Sequence, residues 1–400
     1  MLACSLDANR YNISIYEKNT AIARKFLVAG KGGFNLTHSE DLLQFVERYH
    51  PKDFIKPFIN HFSNIDFRDW LKTIGIETYV GTSKRVFPMK GIKPIEVLNA
   101  IENVLKKNGV EINYNHKWEG WSNGQLIFQI PNNLTSNIKA DILVFSLGGA
   151  SWKVTGSAGD WTSYFNERGI KTNPFYPSNC AYKVKWNPSF IKKYHGTALK
   201  NCGFICGDSS RKGEAVITEF GIEGSGIYPL SFEIRKQLMS HPDLVSGSHE
   251  MLKQVQHDGI AKLHVDFKPD LSLEEIISRL ENRGKSSIKD ILEKRINLSQ
   301  VQIELLKLAS SKEEYNDVNF LSQLIRYYPI NIVDVAPIDD AISTLGGIDL
   351  EEVNANLELK KLPHHYCIGE MLDWDAPTGG YLLQACFSMG RFLADKLNKD

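Results

Sequence analysis

Apolar and polar positions alternate with two different periods along this chain, and the switches between those periods mark its elements. Residues 12–17, NISIYE, alternate as a strand does and end on an acidic residue. The preceding MLACSLDANR reads as the end of a short apolar helix carrying small residues. Gly30-Lys31-Gly32-Gly33 forms a glycine-rich turn. Thr37-His38-Ser39-Glu40 reads as a T-x-x-E capping box before the helix LLQFVERY. Residues 94–108 predict an amphipathic helix opened by Pro94 in its first turn. The alternation over 111–130 turns at Asn123-Gly124, a hairpin signal. Residues 140–147 form a continuous apolar run, a buried strand ending at Gly148-Gly149.

From about residue 170 to 270 the pattern is β-rich, with strands expected at 179–186, 203–206, 214–220 and 262–267. Between 272 and 328 it becomes helical, opened by the capping box Ser272-Leu273-Glu274-Glu275. Four helices fit there, at 273–282, 287–295, 299–309 and 317–327. A strand then runs through His365-Tyr366-Cys367-Ile368 into Gly369-Glu370, and a closing helix starts near Gly379-Gly380 and reaches about Leu397. Strand–helix alternation at both ends around a β-rich and then helical middle predicts an α/β domain interrupted by an insertion. Residues 240–259 interrupt the pattern and carry His241, His249 and His257. They read as a tolerated surface insertion rather than a metal site.

Composition narrows the function classes. A chain of 400 residues exceeds the usual size of one core, so two or three domains are expected. Apolar residues make up 42% of it, enough for sizeable cores. Lys+Arg and Asp+Glu both number 47, and zero net charge draws the chain toward neither nucleic acid nor an anionic membrane. No apolar run reaches the roughly 20 residues of a membrane helix, and no secretory signal pattern opens the chain. Six scattered cysteines are too few for a disulfide scaffold, and Cys202 and Cys206 lack the further ligands of a zinc site. Free thiols, no metal and a cytoplasmic location are therefore expected.

Two places carry chemistry. A strand ending in Glu17 is what a dinucleotide fold uses to hold an adenosine ribose, although a strand ending on a carboxylate is also common without that role. Gly369-Glu370 follows an apolar strand, and Gly379-Gly380-Tyr381 then opens a helix. Two glycines admit a ligand ring close to the backbone, and free N–H groups favour an electron-rich acceptor such as the pyrimidine edge of a flavin. A tight strand-to-helix turn alone would leave the same trace. Lys31 lies outside any G-x4-GK[ST] pattern, which excludes an NTPase loop.

Residues 369–390, GEMLDWDAPTGGYLLQACFSMG, closely resemble the C-terminal signature of the HI0933-like family of FAD-dependent oxidoreductases. Residues 24–37, RKFLVAGKGGFNLT, resemble that family's second motif, with Ala23 standing where a glycine is usual. Further matches are GTSKRVFPMK (81–90), LGGASWKVTGSAGDW (147–161), PSNCAYKVKW (177–186), FGIEGSGIYPLS (220–231) and AISTLGG (341–347). The resemblance implies a split Rossmann-like FAD-binding domain of the two-dinucleotide-binding type, over 1–165 and 330–400. A β-barrel-like plus helical domain would be inserted at 166–329. By position, Glu17 would hold the adenosine ribose. Arg24, Lys25, Gly32, Gly33 and Asn35 would line the pyrophosphate and flavin side. Gly148 and Gly149 would pack near the adenine–diphosphate half, and Glu370 near the ribityl or pyrophosphate region. Gly379, Gly380, Tyr381 and Leu382 would meet the isoalloxazine, with Asp373 and Gln384 behind them.

In a dinucleotide fold the glycine loop lies about 20 residues before the acidic strand end, which here falls ahead of Met1. The expectation is that Met1 is an internal methionine, and that the first strand and GxGxxG loop are encoded upstream. The function implied is an FAD-dependent oxidoreductase of unassigned substrate, with NAD(P)H a candidate donor. The alternative is a non-catalytic remnant or flavin-free interaction protein of the same family. A flavin-dependent nucleic-acid-modifying enzyme is disfavoured by the zero net charge.

Overall fold

The structure, a computed structural model, describes residues 1–28, 33–239, 259–282, 284 and 286–399. The chain separates into two compact units, Met1–Pro177 with Ile342–Asp400, and Ser178–Ala341. The family resemblance implied these boundaries at 165/166 and 329/330. In the structure strand Thr172–Ser178 lies beside Ser343–Ile348, and this pairing keeps nearly all of both strands with the first unit.

The first unit is α/β. Strand Ser14–Glu17 pairs in parallel with Glu111–Tyr114, Ile15 opposite Ile112. Strand Leu143–Phe145 pairs in parallel with His365–Cys367, Val144 opposite Tyr366. Two antiparallel three-stranded sheets complete it. One joins Thr37–His38, Arg85–Pro88 and Thr78–Val80. The other is the hairpin Lys117–Ser122 and Gln125–Ile130, extended by Leu134–Ile138. Helix Pro94–Lys107 begins at Pro94 and ends on two lysines, as its pattern predicts. The closing helix Tyr381–Leu397 buries Gln384, Ala385, Ser388, Met389, Leu393 and Leu397. That spacing keeps one face in the core.

The second unit holds a closed six-stranded barrel. Its order is Tyr182–Val184, Gly221–Glu223, Ser209–Ile217, Ala198–Cys206, Ala261–Asp266 and Tyr328–Val335, the last strand pairing back to the first. Closure leaves no free sheet edge. The helices Leu273–Glu281, Ile288–Lys294, Gln300–Leu308 and Val318–Arg326 fall where the pattern puts them. Ser272 caps the first by accepting from the Glu275 N–H. All six cysteines are free thiols, and burial pushes Cys202 up to about 11 and Cys206 to about 12.

Two expectations fail locally. Thr37-His38-Ser39-Glu40 is not a capping box: Thr37 and His38 form a strand, and Asp41 caps helix Leu42–Val46 through the Leu43 N–H. Glu40 is instead consumed by Arg48. Helices Lys52–His61 and Asn64–Thr73 are not among the expected elements; the first carries Pro51 at its N-cap and Pro57 in its interior, and the second is opened by Ser63, which accepts from the Asp66 N–H. Of the expected insertion at 240–259 only Gly259 is among the described residues, so its histidines lie outside them. Among the described residues no helix is long and apolar enough to cross a membrane.

Candidate functional site

In α/β sheets ligands gather beyond the carboxyl ends of parallel strands. Three such ends in the first unit carry the residues singled out by the sequence. Strand Ser14–Glu17 ends on Glu17, whose Oε1 accepts from the Asn19 backbone N–H at 2.8 Å and from Asn19 Nδ2 at 2.6 Å. Strand Leu143–Phe145 runs into Gly148-Gly149, and His365–Cys367 into Gly369-Glu370. Asn19, two residues past Glu17, packs on the loop that follows Gly149: a Cβ at Gly156 would lie 2.5 Å from its Nδ2.

A half-buried ion pair joins the second and third of these ends. Lys25 Nζ lies 3.7 Å from Glu370 Oε2 and donates to Ser151 Oγ at 2.9 Å. A Cβ at Gly149 would overlap Thr344 Oγ1, which also accepts from the Ala150 N–H at 3.1 Å. Both glycine turns are pinned by tryptophans. Trp161 Nε1 donates to the Gly148 carbonyl at 3.2 Å, and Trp374 Nε1 to the Gly369 carbonyl at 2.8 Å. Arg24, by contrast, is exposed, its guanidinium 3.5 Å from Thr20 Oγ1. Gly32 lies outside the described residues, Gly33 is exposed at φ 113°, and Asn35 is half-buried.

The start of the closing helix is held by a separate buried network. Gly380 sits at φ 100°, and a Cβ there would come within 2.5 Å of the Thr37 backbone. Thr37 Oγ1 donates to Gln384 Oε1 at 2.7 Å, while Gln384 Nε2 donates to the Phe62 carbonyl and Ser388 Oγ. Tyr381 OH donates to Glu40 Oε1 at 2.6 Å, and Arg48 grips Glu40 with Nε at 3.0 Å and Nη2 at 2.8 Å. Burial works to raise the Glu40 carboxyl, but these hydrogen bonds outweigh it and hold the group below the usual range. Burial drives the Tyr381 phenol far above its ordinary value, with Glu40 adding to the effect.

Burial also lowers His38. Its Nδ1 accepts the Glu40 N–H at 3.2 Å, so Nε2 is the nitrogen that donates to the Ser83 carbonyl, also at 3.2 Å. This imidazole has no nitrogen left for proton transfer.

The sequence-derived residues therefore divide. Glu17, Lys25, Gly148, Gly149 and Glu370 gather at the strand ends. Gly379, Gly380, Tyr381 and Leu382 stand at the helix start, where the first main-chain N–H groups of a 17-residue helix have no intrahelical acceptor. Gln384 is wholly buried and spent on protein partners. Asp373 is likewise spent, accepting from Asn173 Nδ2 at 2.6 Å and the Gly346 N–H at 2.8 Å. Sequence reasoning missed Ser151, Thr344, Glu40 and Arg48. Ser151 and Thr344 sit inside motifs shared with the family, Glu40 reads locally as part of a capping box, and Arg48 carries no local signal.

A family model described as HI0933-like protein Rossmann domain matches residues 1–396. The chain is 23% identical over 387 residues to the 3-dehydro-bile acid delta(4,6)-reductase of Clostridium scindens, covering 94% of this chain and 90% of that protein. It is 22% identical over 382 residues to the ribosomal RNA dihydrouridine synthase of Haemophilus influenzae, with the same two coverages. Among solved structures it resembles a 3-ketosteroid-delta4-(5alpha)-dehydrogenase from Rhodococcus jostii RHA1. That match has a TM-score of 0.49 at 13% identity, covering 100% of this chain and 94% of the other.

Proposed function

This chain belongs to the HI0933-like Rossmann-domain family, and from that premise we propose that it is an FAD-dependent oxidoreductase. The observation that carries the reading is the cluster of Glu17, Gly148-Gly149 and Gly369-Glu370 beyond parallel strand ends, with Lys25 joining Glu370 to Ser151. These residues fit the cofactor's chemistry. Glu17 keeps a second carboxylate oxygen for ribose hydroxyls. Lys25 offers positive charge to a diphosphate, and the N–H groups at the start of helix Tyr381–Leu397 suit an electron-rich ring edge. Bound FAD would supply two-electron transfer, while the protein holds and orients it.

The names of the two relatives describe work on a bile acid and on ribosomal RNA. The proposal therefore names a reaction class, reduction or oxidation of an unassigned acceptor. NAD(P)H is the proposed electron donor.

The test is the visible absorbance spectrum of the purified chain after incubation with FAD and gel filtration. Flavin bands at one FAD per chain are expected, bleaching anaerobically on NADPH or NADH. A colourless protein with intact secondary structure would put a flavin-free member of the family in its place.

A further inference from the structure

Beside the start of helix Tyr381–Leu397, strand Arg85–Pro88 presents a face that the reading above does not use. Register places His38 opposite Arg85 and Tyr79 opposite Phe87. Opposed residues of an antiparallel pair share a face, so these four side chains lie together, while Thr37 and Val86, both fully buried, lie on the other face. The four are all half-buried. Tyr79 and Phe87 stack with centroids 5.6 Å apart, and His38 stacks on Tyr381 at 5.2 Å. Three glycines approach this face, Gly81 to within 2.9 Å of the Phe87 ring for a would-be Cβ. A Cβ at Gly33 would meet the Phe87 ring at 3.2 Å, and one at Gly379 would meet Arg85 Nε at 3.6 Å.

The charges around Arg85 do not balance. Arg48 is neutralised by its two bonds to Glu40. His38 is committed through both ring nitrogens. The Arg85 side chain has no carboxylate partner and no hydrogen bond among the described residues. A half-buried guanidinium without a counter-charge is unfavourable unless an anion arrives.

We propose, resting on the FAD reading, that Arg85 contacts the bound flavin and stabilises the negative charge the ring system acquires on reduction. The balance is simple. Two electrons and one proton added to the oxidised ring leave it with one negative charge, spread over its pyrimidine side. Arg85 then favours the reduced over the oxidised cofactor, which raises the reduction potential.

The experiment uses the full chain loaded with FAD and reduced anaerobically by dithionite against a reference dye. Arg85→Gln and the apolar Arg85→Met are compared with wild type and with Lys72→Gln, which removes the same charge from an exposed site on helix Asn64–Thr73. Both Arg85 variants are expected to weaken binding of reduced relative to oxidised FAD about tenfold, a potential lower by about 30 mV for a two-electron couple. Sulfite, which adds to electron-poor flavins, should bind both about tenfold more weakly. Arg85→Lys should retain most of the wild-type value, and Lys72→Gln all of it. Flavin bound normally in the Arg85 variants with an unchanged potential overturns the role of Arg85 and leaves the cofactor reading standing. A wild-type chain that takes up no FAD overturns both.

Discussion

Lys25 and Tyr381 both gain their meaning from a carboxylate far away in sequence, but with different consequences. Lys25 is half-buried and bonded to Glu370 and Ser151, so its charge is available to a diphosphate that enters the same space. Lys25→Met is expected to raise the FAD dissociation constant about tenfold or more, since a charge-assisted hydrogen bond contributes ~1.5–3 kcal/mol. Titration of flavin fluorescence reads this directly, and an unchanged constant would remove Lys25 from the site. Tyr381 acts on the fold instead. Tyr381→Phe leaves buried Glu40 short of a donor and should cost about 1–3 kcal/mol, seen as a lower urea midpoint at constant slope. Glu40 also sets a pH dependence. Its carboxyl titrates below its ordinary value of 4.5 in the folded state, so the folded state binds that proton less readily than the unfolded one. The contribution is complete above about pH 4.5 and is lost as pH falls through the lower folded value. In Glu40→Gln the acid limb of the stability profile should be shallower, whatever the variant's stability at neutral pH.

At the scale of elements, glycines with the same backbone angle are expected to behave differently. Gly91 sits at φ 99° with nothing within 4 Å of a would-be Cβ, whereas Gly380 at φ 100° faces the Thr37 backbone at 2.5 Å. Gly91→Ala should therefore cost only the left-handed strain, about 1–2 kcal/mol. Gly380→Ala must also separate the closing helix from strand Thr37–His38, so its loss in thermal stability should be clearly larger. The same comparison shows what was legible in the chain. Helix Leu273–Glu281 could be read because Ser272 and Glu275 cap it locally, and helix Tyr381–Leu397 because its apolar spacing persists after two glycines. The glycines themselves were legible as special, but not their reason, since Thr37 lies hundreds of residues from Gly380. Asp373 and Gln384 were read as cofactor contacts from their place in a motif, while the structure commits both to Asn173, Gly346, Thr37 and Ser388. The indole bonds of Trp161 and Trp374 and the pairing of Glu40 with Arg48 span only 5 to 13 residues, but they join irregular turns that no periodic pattern records. Sheet edges add a further expectation. Strands Ser14–Glu17 and Leu143–Phe145 each pair with one neighbour among the described residues. Half of their amides should exchange with solvent faster than those of helix Tyr381–Leu397 in a hydrogen-exchange experiment.

Across the whole molecule the cores are as separate as the units. One cluster, from Cys180 to Ala341, belongs entirely to Ser178–Ala341, and the other two clusters belong to the rest of the chain. Units with their own cores can unfold as separate cooperative blocks. Every residue proposed to hold FAD lies in Met1–Pro177 or Ile342–Asp400. A ligand stabilises only what it binds in the folded state, by about 2.7 kcal/mol when free ligand is a hundredfold above its dissociation constant. For a unit of this size that corresponds to a shift of roughly 5–10 °C. Buried thiols distinguish the blocks without a probe being added to the chain: Cys202 and Cys206 report the barrel unit, and Cys367 reports the other. Pulse labelling of these cysteines during a thermal ramp, read by mass spectrometry, should show FAD delaying exposure of Cys367 while Cys202 and Cys206 label at their original temperature. Equal shifts at all three positions would mean that the barrel shares in holding the cofactor or unfolds together with the α/β unit, and a control with adenosine diphosphate would separate those outcomes, because it loads only the strand-end cluster around Glu17 and Lys25.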